Sequence, residues 1–298
     1  MSVLREPSRI HAHDEALTPG SLRQFDFAVI NPLVVHERDW RDLPVQALET
    51  SPAPARAHRL PQLVALQDLP HEVYDDLIAR IRRYRKRGVL FFSALMSTRA
   101  DLNRTAWHLR RQLLQRRPGD RRYHWFRYYD PLVFRHLAWL LTPTQLARLL
   151  GPLDRWSWFD GQGQSYVLKR PEITTTIDWL ELTRGQWSSI DRFADLNRSL
   201  RRLALLAPDW PQDTTHWQWL DDTLRHAQRS GLSPGDQPLL AERAAMHLPG
   251  LAGQDLVESF MALATRRLSD TGGHLDAWHD AEWNTLISEL RSGHESRR

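Results

Sequence analysis

Several groups of residues in this chain have the types and spacing that chemistry could use, and each has a plainer account beside it. His11, His13, Asp14 and Glu15 are metal-ligand types within five positions. They fall in a lead rich in polar residues, with nothing to orient the imidazoles, so a solvated tail is the better reading. His274 and His279, with Asp276, Asp280 and Glu282, form a second set. Their spacing is not the paired-histidine pattern with an intervening Glu that turns two zinc ligands to one helix face. Ser93 ends an apolar run, as some nucleophiles do, but no Gly-x-Ser-x-Gly turn surrounds it. Gly161-Gln162-Gly163 lacks the Lys-Ser/Thr ending of a phosphate loop and joins two strand-like runs, which makes it a hairpin turn. Asp221-Asp222 reads as a solvated helix face, and Trp217 and Trp219 as core. No catalytic residue, metal ligand or cofactor site is expected, and the chain reads as a non-enzyme.

The stronger chemical signal is cationic. Residues 80–127 hold 15 Lys or Arg against Asp101 and Asp120, a net +13 in a chain of net +4. Such polarity suits one face to an acidic partner. Lys86 and Lys169 are the only lysines, so planar guanidinium forks, suited to carboxylates and phosphates, dominate. The candidate partner-binding residues are Arg82, Arg83, Arg85 and Lys86, then Arg116, Arg117, Arg121 and Arg122. Near the second group lie Trp107, His108, Tyr123 and Trp125, a mixture also found at single-stranded nucleic-acid sites. Their helix and strand positions predict that these rings are buried, which leaves nucleic acid as the alternative partner class. Zero cysteines excludes disulfides, thiolate metal sites and cysteine nucleophiles. No apolar run approaches the roughly 18 residues of a membrane span, and the N-terminus carries no secretory signal, so a cytoplasmic location is expected.

The elements that position these residues divide the chain into a flexible lead at 1–22, an α/β lobe at 23–170 and a helical lobe at 171–298. Strands are predicted at 25–30, 63–66, 89–92 and 125–129, and helices at 72–87 and 102–116. Asp130-Pro131 opens a helix by capping, and Thr142-Pro143-Thr144-Gln145 opens another with a reciprocal capping box. Gly151-Pro152 ends it, and strands at 153–159 and 165–169 follow. Thr183 with Gln186 repeats the capping box, and helices are predicted near 215–228, 236–247, 254–268 and 275–291. The fold class is therefore an α/β lobe, a small mixed sheet with helices and a β-hairpin, followed by an all-α lobe.

The run Phe126-Arg127-Tyr128-Tyr129-Asp130-Pro131, with Leu149-Leu150-Gly151-Pro152-Leu153 and Trp156, resembles a bacterial family of type VI secretion adaptor chaperones, the domain of unknown function DUF4123. Arg127, Asp130, Pro131, Gly151, Pro152 and Trp156 match its motif and are read as structural. The resemblance implies a non-enzymatic adaptor that binds one effector toxin and helps load it onto the VgrG spike protein.

Overall fold

The computed structural model describes residues 10–13, 17–50, 60–160, 164–173, 179–248, 250–271 and 273–295. The chain forms two compact units, Met1–Trp187 and Ser188–Arg298. The first contains β1 (Ile10–His13), α1 (Pro19–Leu22), β2 (Phe27–Ile30), β3 (Val45–Ala47), β4 (Gln62–Ala65), α2 (His71–Arg85) and β5 (Ala94–Thr98). After them come α3 (Leu102–Gln112), β6 (Leu114–Arg116), β7 (Tyr123–Trp125), α4 (Pro131–Leu140), α5 (Pro143–Leu150), β8 (Leu153–Phe159) and β9 (Ser165–Lys169). The helices α6 (Arg184–Leu206), α7 (Thr214–Arg229), α8 (Asp236–His247), α9 (Gln254–Thr271) and α10 (Asp280–Glu295) complete the chain. An α/β sheet unit thus precedes helices, as the change in periodicity predicts.

Seven strands pair in the order β1-β9-β8-β5-β2-β4-β3, antiparallel at every rung, and β6-β7 form a separate two-stranded sheet. The central strands β2, β4 and β5 are buried along their whole length, as they must be with side chains alternating between two covered faces. One face sets Ala28, Ile30, Val64 and Leu95 in a core with Tyr74, Leu77 and Ile78 of α2. On the other, Phe134 of α4 stacks on Trp156 of β8, centroids 4.7 Å apart. Such a pair adds about 0.5–1.5 kcal/mol beyond the area it buries. Part of the lead expected to be flexible joins this unit: Ile10–His13 pairs with β9, and Thr18 caps α1, whose Leu22 is fully buried.

In this unit three boundaries differ from expectation by more than two residues. The strand predicted at 89–92 begins instead at Ala94; Phe91 and Phe92 are buried beneath α2 as loop residues that fill the core, where apolar type mimics a strand. The strand predicted at 125–129 is Tyr123–Trp125, and Phe126, Tyr128 and Tyr129 are all buried, without the alternation of a half-covered strand. The helix predicted at 102–116 stops at Gln112, because residues 114–116 pair with β7. The capping signals hold. Thr142 and Gln145 form a reciprocal box, and Thr183 with Gln186 forms another. The two glutamines also bond each other, Nε2 to Oε1 at 2.9 Å and 2.7 Å, which ties the start of α5 to the start of α6.

In the second unit a core of Leu240, Phe260, Met261, Trp283 and Leu286 holds the helices together. The helix predicted over 275–291 is a 3-10 turn at Leu275–Ala277 followed by α10; the buried Asp236 carboxylate accepts the Leu275 N–H at 2.8 Å and holds that turn. Asp221, read as solvated, is buried instead. Its carboxylate receives Nε and Nη2 of Arg192 at 2.9 Å and 3.0 Å, with side chains 5% and 2% exposed. Burial is tolerated because the charge is met in bidentate fashion and Ser189 donates a third bond. Asp222 faces outward and pairs with Arg225 at 2.7 Å, and Trp217 is buried while Trp219 donates to the Ala252 carbonyl.

Candidate functional site

The β6-β7 hairpin brings together several of the candidate cations and rings. Pairing of Leu114 with Trp125, Gln115 with His124 and Arg116 with Tyr123 puts Leu114, Arg116, Tyr123 and Trp125 on one side by strand alternation. Gln115, on the other side, is buried, whereas Tyr123 is 59% exposed and Trp125 37%. The Arg116 guanidinium lies over the Tyr123 ring, 4.6 Å from its centroid. In the connecting turn Asp120 accepts the Arg122 backbone N–H and bonds the His124 ring, and these bonds hold its carboxyl well below the usual carboxylate range. Arg121 is exposed, Arg122 contacts Asp120 at 3.4 Å, and Arg117 lies over Trp187 at 4.6 Å.

Helix α3 runs into this hairpin and adds a second ring set. Its inward residues are Thr105, Ala106, His108, Leu109 and Gln112, which leaves Trp107 on the outer side, 52% exposed. Arg111, one turn on, lies 4.4 Å from the Trp107 ring and 5.5 Å from that of Trp179, itself 59% exposed. Trp107, Tyr123 and Trp125 were expected to be buried by their helix and strand positions; only His108 is. The helix turns one side outward, and arginine stems and guanidinium faces take the place of protein packing over the outward rings. Sequence reasoning missed Arg111 and Trp179, because residues 68 positions apart leave no local signal.

The other four candidate cations are at the end of α2. Arg83 pairs with Asp39 at 2.8 Å, and the same carboxylate accepts the Tyr84 hydroxyl at 2.6 Å, which is the main reason its pKa is lowered. Arg80, one turn earlier, binds both oxygens of Asp42 and also pairs with Asp76. Arg82 and Arg85 border a shallow recess of about 70 Å³ lined by Ile81, Val89, Leu90 and Phe159, and Lys86 is exposed at the helix C-cap. The eight cations therefore sit on two separate elements. Basic side chains in a last helical turn also meet its carbonyl dipoles favourably.

The motif residues organise junctions. Asp130 Oδ1 accepts the Leu132 N–H at 3.0 Å and Oδ2 accepts Arg127 at 2.9 Å, with Pro131 in the first turn of α4. Loss of such a cap costs about 1 kcal/mol. Gly151 has φ +57°, and a Cβ there would meet the His108 ring at 2.1 Å. That ring is held by its Nε2, 2.8 Å from the Leu149 carbonyl oxygen. The Pro152 carbonyl accepts the Thr98 hydroxyl at 2.7 Å, and Trp156 lies under Phe134. The Gly151-Pro152 turn also borders an open cavity of about 590 Å³.

The remaining candidates have structural partners. The Ser93 hydroxyl donates to the Val29 carbonyl as a strand-end group. His274 bonds Asp236, Glu282 accepts the His279 backbone N–H, and Asp280 pairs with Arg243 at 3.6 Å. The turn at 161–163, and Asp14 and Glu15, lie outside the described residues, as do the side chains of His11 and His13. Among the described residues no three His, Asp or Glu side chains are grouped as metal ligands, and no helix is long and apolar enough to cross a membrane. Comparison with curated proteins and with solved structures finds no match. Residues 26–148, which carry the sheet centre, α2, α3, the hairpin, α4 and most of α5, match the family model described as Domain of unknown function (DUF4123).

Proposed function

We propose that this chain is a non-enzymatic cytoplasmic adaptor that binds a specific type VI secretion effector and helps load it onto the VgrG spike. The observation that carries the reading is the outward surface of α3 and the β6-β7 hairpin, with Trp107, Arg111, Arg116, Tyr123 and Trp125 exposed or ringed by arginine. Trp, Tyr and Arg are the residue types that supply most binding energy at protein interfaces. The effector as partner comes from the resemblance of Phe126 to Pro131, with Gly151, Pro152 and Trp156, to the adaptor chaperones. An adaptor needs a shaped, reversible contact and no reaction centre.

Affinity purification of the tagged protein from its native cells, followed by mass spectrometry, tests this. The expected result is one toxin-like protein, with or without VgrG, lost when Arg111, Arg116, Arg121 and Arg122 are all reversed to Glu. Unchanged capture by that folded variant removes the surface from the reading. The same rings and cations also suit single-stranded nucleic acid, with rings as stacking platforms. Recovery of oligonucleotides alone, with steep salt dependence, selects that reading.

A further inference from the structure

The cavity beside the Gly151-Pro152 turn gathers three arginines from three separate parts of the first unit: Arg104 of α3, Arg148 of α5 and Arg170 just after β9. Elsewhere Arg80 is met by Asp42 and Arg192 by Asp221. Among the described residues none of these three has an ion-pair partner, and Glu172 is the single acid on the cavity wall. The Nε donors of Arg148 and Arg170 are buried and meet no acceptor. A buried donor without an acceptor costs about 1–3 kcal/mol, so these two guanidinium groups are incompletely satisfied by the fold itself. Trp107 adds an indole plane to the wall. At about 590 Å³ the cavity falls in the range of small-molecule sites and exceeds what a bare ion needs.

We propose that this cavity is an oxyanion-binding site for phosphate or carboxylate groups. The planar guanidinium forks suit either group in bidentate fashion. A phosphorylated small molecule and an acidic segment of another protein both present that chemistry. The site is independent of the adaptor reading, since it is a property of the isolated chain.

Calorimetric titration of the purified full chain at low salt, with inorganic pyrophosphate, a capped tetraglutamate and a capped tetraglutamine, tests the proposal. Binding of either anion but not tetraglutamine is expected, weakened at least tenfold by Arg148→Gln with Arg170→Gln and unchanged by Arg266→Gln with Arg291→Gln, which are exposed on α9 and α10. Glu172→Gln should tighten binding severalfold by removing the one opposing charge. The exposed Arg104→Gln serves in place of the double variant if the latter fails to fold. Tighter binding of pyrophosphate marks a phosphorylated small molecule as the natural source, and tighter binding of tetraglutamate marks an acidic protein segment. No anion binding by the native chain, or equal binding by a folded Arg148/Arg170 variant, overturns it.

Discussion

Along α2 two of the cations answer to carboxylates, Arg83 to Asp39 and Arg80 to Asp42 and to Asp76 of its own helix. On α3 and the β6-β7 hairpin Arg111 lies on Trp107 and Arg116 on Tyr123, and no carboxylate among the described residues pairs with either, although Arg122 in the turn meets Asp120. A count of charges along residues 80–127 treats these regions alike. The fold does not: it spends part of the +13 on internal ion pairs near α2 and leaves the ring-borne cations able to attract an outside anion. A guanidinium on an indole keeps its in-plane donors open, whereas one held by a carboxylate has those donors occupied and its charge balanced by its partner.

The largest effect that sharpens this contrast lies where neutralisation is most complete. Asp221→Ala should lower stability by about 3–5 kcal/mol, because it leaves Arg192 buried without its carboxylate. Urea unfolding followed by circular dichroism measures it, and a loss below about 1 kcal/mol would show that water reaches Arg192. Replacing both residues by apolar ones of similar size should cost much less than the single change.

A smaller loss belongs to α2. Asp39→Ala removes the acceptor of Tyr84 and Arg83 and should cost about 1.5–3 kcal/mol. Its carboxyl titrates below 3.8 in the folded chain, chiefly because of the Tyr84 hydroxyl. Asp42 is lowered too, chiefly by Arg80. Their contribution is therefore complete above about pH 4 and lost as pH falls through the lowered values. Asp39→Ala should flatten the acid limb of the stability profile, and an unchanged limb would place the acid sensitivity elsewhere.

The smallest effect on stability is expected on the ring side. Arg116→Ala with Tyr123→Ala should stay within about 0.5 kcal/mol of the parent, because both side chains project outward. Partner capture in the same preparations should fall at least tenfold. Loss of stability of the size seen at Asp39 would make these rings part of the fold and erase the contrast between the two regions.

What could be read from the chain follows the range of the forces involved. Asp130-Pro131, Thr142 with Gln145, and Thr183 with Gln186 act within four residues, so their caps were legible, as were the strands at 153–159 and 165–169. Burial of Asp221 was not, since its partner Arg192 is 29 positions away on another helix and an Asp-Asp pair looks solvated. Phe91 and Phe92 misled because core-filling loops and central strands use the same residue types. The exposure of Trp107 and Tyr123 was hidden because periodicity tells one face from another, while only the fold decides which face is left bare. The arginines at the cavity share no sequence neighbourhood at all.

Residues 99–152, which hold α3, the hairpin, α4 and α5, leave the sheet and return to it at a single rung, where Thr98 of β5 stands opposite Leu153 of β8. The Thr98 hydroxyl on the Pro152 carbonyl fastens the two ends together. An excursion closed in this way can lengthen or shorten at little entropic cost, since closure entropy grows only with the logarithm of loop length. Inward residues such as Phe134 roof Trp156, so substitution there disturbs the sheet's packing, whereas outward positions accept substitution with little loss of stability. The sheet is thus closed beneath this stretch by one rung and one hydrogen bond, so a change of length within 99–152 need not disturb its pairing.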